Sequence, residues 1–350
     1  MNDRVNKLVS GLSDNEAVFI SGFPNIFYYS GFTSEDAYLL ISKNARYIIT
    51  DSRYTIQAGE QAKGFEILDI ADGFEKIFSK VTADYIGYEE NRMTVREYQK
   101  LRMKLAGNQT FVGKQSFLDA ERRIKSEEEI KKIAEAERLG DSAFEYVLEK
   151  IKPGVTERGI ALEIEFFMKK HGASALSFDT IVASGKRSAM PHGIASDKVI
   201  ESGDFVTLDF GCIFEGYCSD MTRTVIVGHA NEKQREIYDI VLKAQNTAID
   251  AIKEGVLCCD VDKAARDVIT EAGYGGNFGH GLGHSVGIEI HENPSFSPRC
   301  GDEVKNGHVI TVEPGIYVEG FGGVRIEDLI AVKDGKPCNL THSPKELIEL

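Results

Sequence analysis

The C-terminal part of the chain repeats itself, and few folds accommodate such a duplication. A long amphipathic segment ends in IKPGV at 151–155, and a second, from about Gln234, ends in IKEGV at 252–256, an offset of 101. Each is followed by another helical stretch, Thr156 to Lys170 stopped by Gly172, and Asp260 to Glu271 stopped by Gly273. Paired strands come next. Aligning Gly203 with Gly307 lays GDFVTLDFGCIFEGY on GHVITVEPGIYVEGF, with Gly203, Thr207, Gly211, Glu215 and Gly216 identical among 15 positions and Asp209 falling on Glu313. The pattern predicts a duplicated helix-helix-sheet unit with an internal pseudo-twofold, an α+β arrangement.

The duplicated part opens on a strong helix signal. Ser126 and Glu129 have capping-box spacing, and Ile130, Ile133, Ala134, Leu139, Ala143, Phe144, Val147 and Ile151 follow at helical period. Glu127, Glu128 and Glu129 complement the dipole at that helix start. Residues 1 to about 120 read differently: short apolar runs (Ala17 to Ile20, Tyr38 to Ile41, Arg46 to Thr50, Ile67 to Ile70, Asp84 to Gly87) alternate with helical stretches such as Ser52 to Gln61, as in a small α/β domain. The segment Asp119 to Ser126, ending in RRIKS, marks the boundary and predicts domains at 1–121 and 122–350.

Composition excludes several classes. Lys+Arg 41 against Asp+Glu 55 gives a net charge of −14, a field that opposes nucleic acid and anionic membrane. No apolar run approaches the ~18 residues of a membrane span, and the opening MNDRVNKLVSGLSDNE lacks a signal-peptide core, so a cytoplasmic location is expected. The six cysteines form no CxxC pair and read as reduced, mostly buried thiols, the adjacent Cys258 and Cys259 included.

In the first repeat VTLDFGCIFEGYCSDMTRTVIVG reads as an antiparallel hairpin with Asp209 and Asp220 on opposing arms; VITVEPGIYVEGFGGVRIEDLIAV gives the same form with Glu313 and Glu327. Acids embedded in runs such as VTLDF or VITVE must desolvate, which is costly for an unpaired carboxylate. Each hairpin has one nearby arginine, Arg223 and Arg325, too few for four acids, whereas two divalent cations balance them in charge. Four unrelated residues in salt bridges or turns remain the alternative on pattern alone. The run GHGLGHSVGIEIHENP at 279–294 weighs against it, bringing His280, His284 and His291 within twelve residues out of eight histidines in the chain. Its glycines are not a dinucleotide fingerprint, because His284 stands where GxGxxG needs its last glycine; Gly279, Gly281 and Gly283 suit close backbone packing instead.

Asp209, Asp220, His284, Glu313 and Glu327, set in LDFG, SDMTRT, GHGLGH…HENP, VEPGIY and VRIED, resemble the five-ligand set of the pita-bread metallopeptidases, and within them the Xaa-Pro dipeptidase (prolidase) and aminopeptidase P branch. The first 120 residues, with NIFYYSGF and then RRIKSEEEI, are similar to the creatinase-type N-terminal domain and its linker. The resemblance implies a pita-bread catalytic domain and two divalent ions per chain, manganese first, with cobalt, zinc or iron as alternatives. Asp220 and Glu327 would bridge the ions, Asp209 would complete one site, and His284 with Glu313 the other. The repeat pairs the same residues: Asp209 with Glu313, Asp220 with Glu327.

The resemblance further implies that His192, in MPHG, and His291 act on substrate. His280 would lie near the site, Tyr317 would be the tyrosine of EPGxY, and Arg325, on the same strand face as Glu327, would orient carboxylates or product, or be free to meet the substrate's C-terminal carboxylate. The implied reaction is hydrolysis of the bond to proline in short proline-containing peptides, leaning to the dipeptidase, with aminopeptidase P as the alternative. A methionine aminopeptidase fits poorly with the N-terminal domain, the 14-residue step from Glu313 to Glu327 and Arg325. A non-enzymatic pita-bread protein fits poorly with five filled ligand positions. A homodimer is also implied, the N-terminal domain of one chain bordering the other chain's site.

Overall fold

The apolar runs of the N-terminal region pair into one six-stranded mixed sheet, in the order Glu66–Asp69, Arg46–Thr50, Ala37–Ser42, Glu16–Ile20, Tyr85–Glu89, Thr110–Lys114. This is a computed structural model that describes residues 2–350. Its internal contacts separate a unit ending at Arg122 from one running from Arg123 to Leu350. In the first unit Phe19, Phe78, Phe111 and Tyr38 form an aromatic cluster over the sheet, with ring centroids 5.2–6.1 Å apart.

Three elements of that unit escape a reading of apolar runs. Phe23–Ser30 is a helix although its sequence, FPNIFYYS, is rich in strand-forming aromatics; Pro24 sits in its first turn and Gly31 closes it at φ 75°. Val95–Arg102 is capped by Thr94 and Glu97 in the same reciprocal box that announces the later helix. Thr110–Lys114 supplies the outer strand. The helix expected over 52–61 forms as Thr55–Gln61.

The second unit builds the repeat twice. Helices Glu127–Leu148 and Glu157–Lys170 pack on the hairpin of Phe205–Phe210 and Met221–Ile226; helices Glu232–Ala251 and Cys258–Glu271 pack on Val309–Val312 and Asp328–Lys333. Each copy has its own core. Phe144, Ile164, Leu208 and Val225 belong to the first; Val241, Ile269, Ile310 and Ile330 to the second. The Glu-Gly pair conserved between the copies turns the chain in both. Glu215 and Gly216 take φ 46° and 83°, the two-residue hairpin turn whose twist matches its strands, while Gly320, at φ 75°, sits in a three-residue loop between Gly315–Val318 and Gly322–Arg325.

The copies meet along two short segments. Glu327 N–H donates to the Thr222 carbonyl at 3.0 Å, and the Thr224 hydroxyl donates to the Arg325 carbonyl at 2.9 Å, with Thr222 and Thr224 fully buried. Among the described residues no helix is long and apolar enough to cross a membrane, and all six cysteines are free thiols.

The Ser126 hydroxyl accepts from Glu129 N–H at 3.3 Å while the Glu129 carboxylate accepts from Ser126 N–H at 2.9 Å. Replacing Ser126 with Ala should lower stability by about 1 kcal/mol in urea unfolding, whereas Glu127→Gln on the same solvated turn should change it by less than about 0.5 kcal/mol.

Candidate active site

Strand ends deliver the acids. Asp209 is the penultimate residue of Phe205–Phe210 and stands opposite Thr222; Asp220 immediately precedes Met221–Ile226. Glu313 follows Val309–Val312 and Glu327 precedes Asp328–Lys333, and since Val312 pairs with Asp328 the two glutamates face each other at the hairpin mouth. His284 is the middle residue of Gly283–Ser285, a strand paired to Val309–Val312. A Cβ at Gly283 would overlap the Thr311 carbonyl oxygen, and at Gly281 it would lie 3.0 Å from the Phe296 carbonyl oxygen, so these glycines allow the close approach. Gly279 does not share that role, because a side chain there would meet nothing within 4 Å.

One ligand atom each from Asp220, His284 and Glu327 lies within 4.8 Å of the others. His284 Nε2 is 3.4 Å from Asp220 Oδ2 and 3.6 Å from Glu313 Oε1. The other ring nitrogen, Nδ1, lies 3.2 Å from the Ser285 carbonyl, which assigns the proton to Nδ1 and turns a bare Nε2 toward the acids. Burial, with the neighbouring His291, holds the imidazole down to about 4, so it carries no charge to offer at neutral pH.

Lone pairs therefore face lone pairs across a buried gap. Burial pushes all four carboxyls up: Glu313 to about 8, Asp209 despite Arg325, and Asp220 and Glu327 well above the usual range. For Asp220 the negative charges of Glu327, Asp209 and Glu313 add to the effect. Asp209 Oδ1 is buried with no hydrogen-bond partner. Arg223, the other arginine of these hairpins, is spent elsewhere, on Asp328 at 2.8 Å and the Glu327 carbonyl. Four acids, a bare imidazole nitrogen and an orphaned oxygen fit divalent cations of the Mn, Fe, Co and Zn series, whose preferred donors are oxygen and imidazole.

Arg325 is not free for a substrate carboxylate, which corrects that expectation; it orients one of the acids instead. Its Nη2 donates to Asp209 Oδ2 at 2.6 Å, its Nη1 to the Tyr317 hydroxyl at 2.9 Å and the Pro191 carbonyl at 3.1 Å, and its Nε to Thr222 Oγ1 at 3.1 Å. Tyr317 in turn lies 2.9 Å from His280 Nε2, and His280 Nδ1 is 2.8 Å from the Gly281 carbonyl. His280, Tyr317, Arg325 and Asp209 thus form one hydrogen-bonded row. Its physical effect is to fix one carboxylate oxygen of Asp209 and leave the other facing the acid cluster. His192 and His291 are exposed and line a cavity of about 550 Å³ that the acids floor, with Phe178, Ile181, Ile194 and Ile290 giving it an apolar wall.

Sequence reasoning missed the residues behind the acids. Glu137, fully buried on the first long helix, accepts from Asp220 N–H at 3.2 Å and from the Thr341 hydroxyl at 2.6 Å. Its signal is an acid on the apolar stripe between Ile133 and Phe144. Thr222 donates to Glu327 Oε2 at 2.7 Å. Glu292, next to His291, accepts from Lys125 Nζ at 3.0 Å and from the Ile288 and Glu289 N–H groups, a buried ion pair under the His291 turn.

Sequence models match over residues 4–124 for the Creatinase/Prolidase N-terminal domain and over 131–334 for metallopeptidase family M24. The Xaa-Pro dipeptidase of Pyrococcus horikoshii is 40% identical over 99% of both chains. Among solved structures, an Xaa-Pro dipeptidase from Bacillus anthracis superposes with a TM-score of 0.96 at 43% identity over 100% of this chain and 99% of its own, and an X-Pro aminopeptidase from Thermotoga maritima with 0.93 at 39% over 99% and 100%.

The raised carboxyl pKa values set a pH dependence. An acid whose folded value lies above its unfolded value keeps its full stability below about 4.5 and loses it as pH rises through the folded value, here about 8 for Glu313. Divalent cations remove that penalty by replacing the protons. Chelation should therefore lower the melting temperature more at pH 8.5 than at pH 6, measured on the same preparation with and without metal; an equal drop at both would contradict the assignment.

Proposed function

We propose that this chain, which belongs to metallopeptidase family M24, hydrolyses the peptide bond of Xaa-Pro dipeptides with two divalent ions held by Asp209, Asp220, His284, Glu313 and Glu327. The observation that carries the proposal is the buried acid cluster with its orphaned Asp209 oxygen, at the floor of a cavity, in a chain 40% identical to an Xaa-Pro dipeptidase along its length. Asp220 and Glu327 would hold both ions, with Asp209 completing one site and His284 with Glu313 the other. Manganese is the first choice of metal. When bound, the ions supply a Lewis acid for the scissile carbonyl and a water of lowered pKa.

The remaining steps belong to side chains. His192 and His291, exposed in the cavity, donate to the oxygen on which charge develops. Arg325, held by Tyr317 and Pro191, fixes Asp209. A proline nitrogen has no hydrogen and its ring fixes φ near −65°, so shape has to select it, and the apolar wall of Phe178, Ile181, Ile194 and Ile290 offers a matching surface. The active protein is a cytoplasmic homodimer in this reading.

A second reading, aminopeptidase P activity on longer Xaa-Pro peptides, is favoured by Arg325. Among the described residues the cavity lining contains no other lysine or arginine, and this one is already paired, so no free cation there demands a carboxylate directly after proline. Turnover of Leu-Pro against a Leu-Pro-Yaa tripeptide separates the two.

Leu-Pro should exceed Leu-Ala in kcat/KM by more than the 10–200-fold that hydrophobic fit alone gives, at equal metal loading. A ratio near one, or preference for N-terminal Met on non-proline peptides, would overturn the assignment. His192→Ala and His291→Ala should each lower kcat/KM about 100-fold, the scale of one lost oxyanion donor, while metal content and melting temperature stay unchanged.

A further inference from the structure

His192 hangs on a segment that ought to be mobile. Between the end of the strand Ile181–Ser184 and Lys198 the chain makes a short 3₁₀ turn, Gly185–Ala189, and a single bridge from Ile194 back to Ile181, and its tip at Met190, His192 and Ile194 is exposed. A histidine that must meet a developing charge cannot wander, since preorganisation supplies much of such a donor's worth.

The loop is tied at its neck by one carboxylate. Glu157, the first residue of the helix Glu157–Lys170, is fully buried and accepts five hydrogen bonds. Its Oε1 takes the Ser184 N–H at 2.7 Å and the Ser184 hydroxyl at 2.9 Å, where the loop begins. Its Oε2 takes the Ser196 hydroxyl at 2.6 Å and N–H at 3.1 Å, where the loop ends, and Arg187 Nη1 from within it. Arg187 Nη2 then donates across the loop to the Ile194 carbonyl at 2.9 Å. Both oxygens are saturated, and every donor belongs to the His192 loop or its two ends.

The rest of the loop is seated by geometry. Gly323 N–H donates to Ser188 Oγ at 2.8 Å, a Cβ at Gly323 would overlap the Ser188 carbonyl, and two residues on Arg325 grips the Pro191 carbonyl at 3.1 Å. Glu157 closes the neck, the glycines of Gly322–Arg325 seat the turn, and Arg325 holds the residue before His192. Lys198 Nζ also crosses the neck to Ser184 Oγ at 2.9 Å and reaches Asp204 Oδ2 at 2.7 Å, but Glu157 is the carboxylate that takes donors from both ends of the loop and from within it.

We infer that Glu157 is the positioning residue of the His192 loop, a buried carboxylate that sets where His192 presents its ring to the substrate without touching the substrate itself. This rests on the reading that His192 acts on substrate.

The test uses the metal-loaded full chain with Glu157→Gln, His192→Ala and the double variant. In Glu157→Gln an amide nitrogen must face donors on one side of the neck. Trypsin, which cuts after Lys186 and Arg187 inside the loop, reads the neck directly: cleavage there should be at least tenfold faster than in the unaltered protein. Kcat/KM should fall at least tenfold with metal content unchanged, and on the His192→Ala background Glu157→Gln should add less than a twofold loss. Unaltered cleavage and activity, or an undiminished loss on the His192→Ala background, would overturn the inference. If His192→Ala proves fully active, the reading of His192 fails while the trypsin rate still decides the role of Glu157. Should Glu157→Gln not fold, Ser196→Ala, which removes one half-buried hydroxyl at the loop's exit, should still speed cleavage about threefold, and no acceleration would count against the inference.

Discussion

Four carboxylates share one buried volume with a single guanidinium that reaches only one of them. The effective penalty for an ion left unpaired in a protein interior is several kcal/mol, so this arrangement persists only if cations or protons fill it. Without cations the acids take up protons, as their raised pKa values record. With cations the same oxygens would serve as ligands. In the proposed reading the fold is thereby coupled to its metals, since cations would relieve the crowding of like charges that protons otherwise relieve.

The duplication explains how such a cluster is assembled from ordinary parts. Each copy closes its own apolar core and brings a hairpin with two acids near its open end. The copies are then joined by backbone and threonine hydrogen bonds at Thr222, Thr224, Arg325 and Glu327, so like-charged groups are held together by neutral polar contacts between strands. A second set of buried acids stands behind the first, each satisfied: Glu137 by Asp220 N–H and Thr341, Asp328 by Arg223 and Lys345, Glu157 by the His192 loop. These hold the acid cluster and the loop in place, and the fully satisfied networks resist distortion because any break strands a buried polar group.

Much of this was legible in the sequence where a local rule is strong. The capping box at Ser126, the helix stops at Gly172 and Gly273, and the Glu-Gly turns fix the repeat, and the repeat brings Asp209, Asp220, Glu313 and Glu327 into register. Where the sequence misled, partners distant in the chain were responsible. Arg325 reads as a free cation two residues from Glu327, yet Pro191, Asp209 and Tyr317 consume it from 134, 116 and 8 residues away. Glu137 and Glu157 drew no reading from the sequence, because the partners that satisfy each lie on other elements and only the packed structure brings them together. In the first unit the helix Phe23–Ser30 was hidden by its aromatic composition, since tertiary burial overrides weak propensity.

The central claim is that the two copies jointly hold two divalent ions through Asp220 and Glu327. The most direct measurement is the metal content per chain after reconstitution and removal of excess ion, by elemental analysis, for the unaltered protein beside Asp220→Ala and Glu327→Ala. The account predicts two ions per chain in the unaltered protein and one or none in either variant. Two tightly held ions in Asp220→Ala or Glu327→Ala, or fewer than one in the unaltered protein, would contradict it.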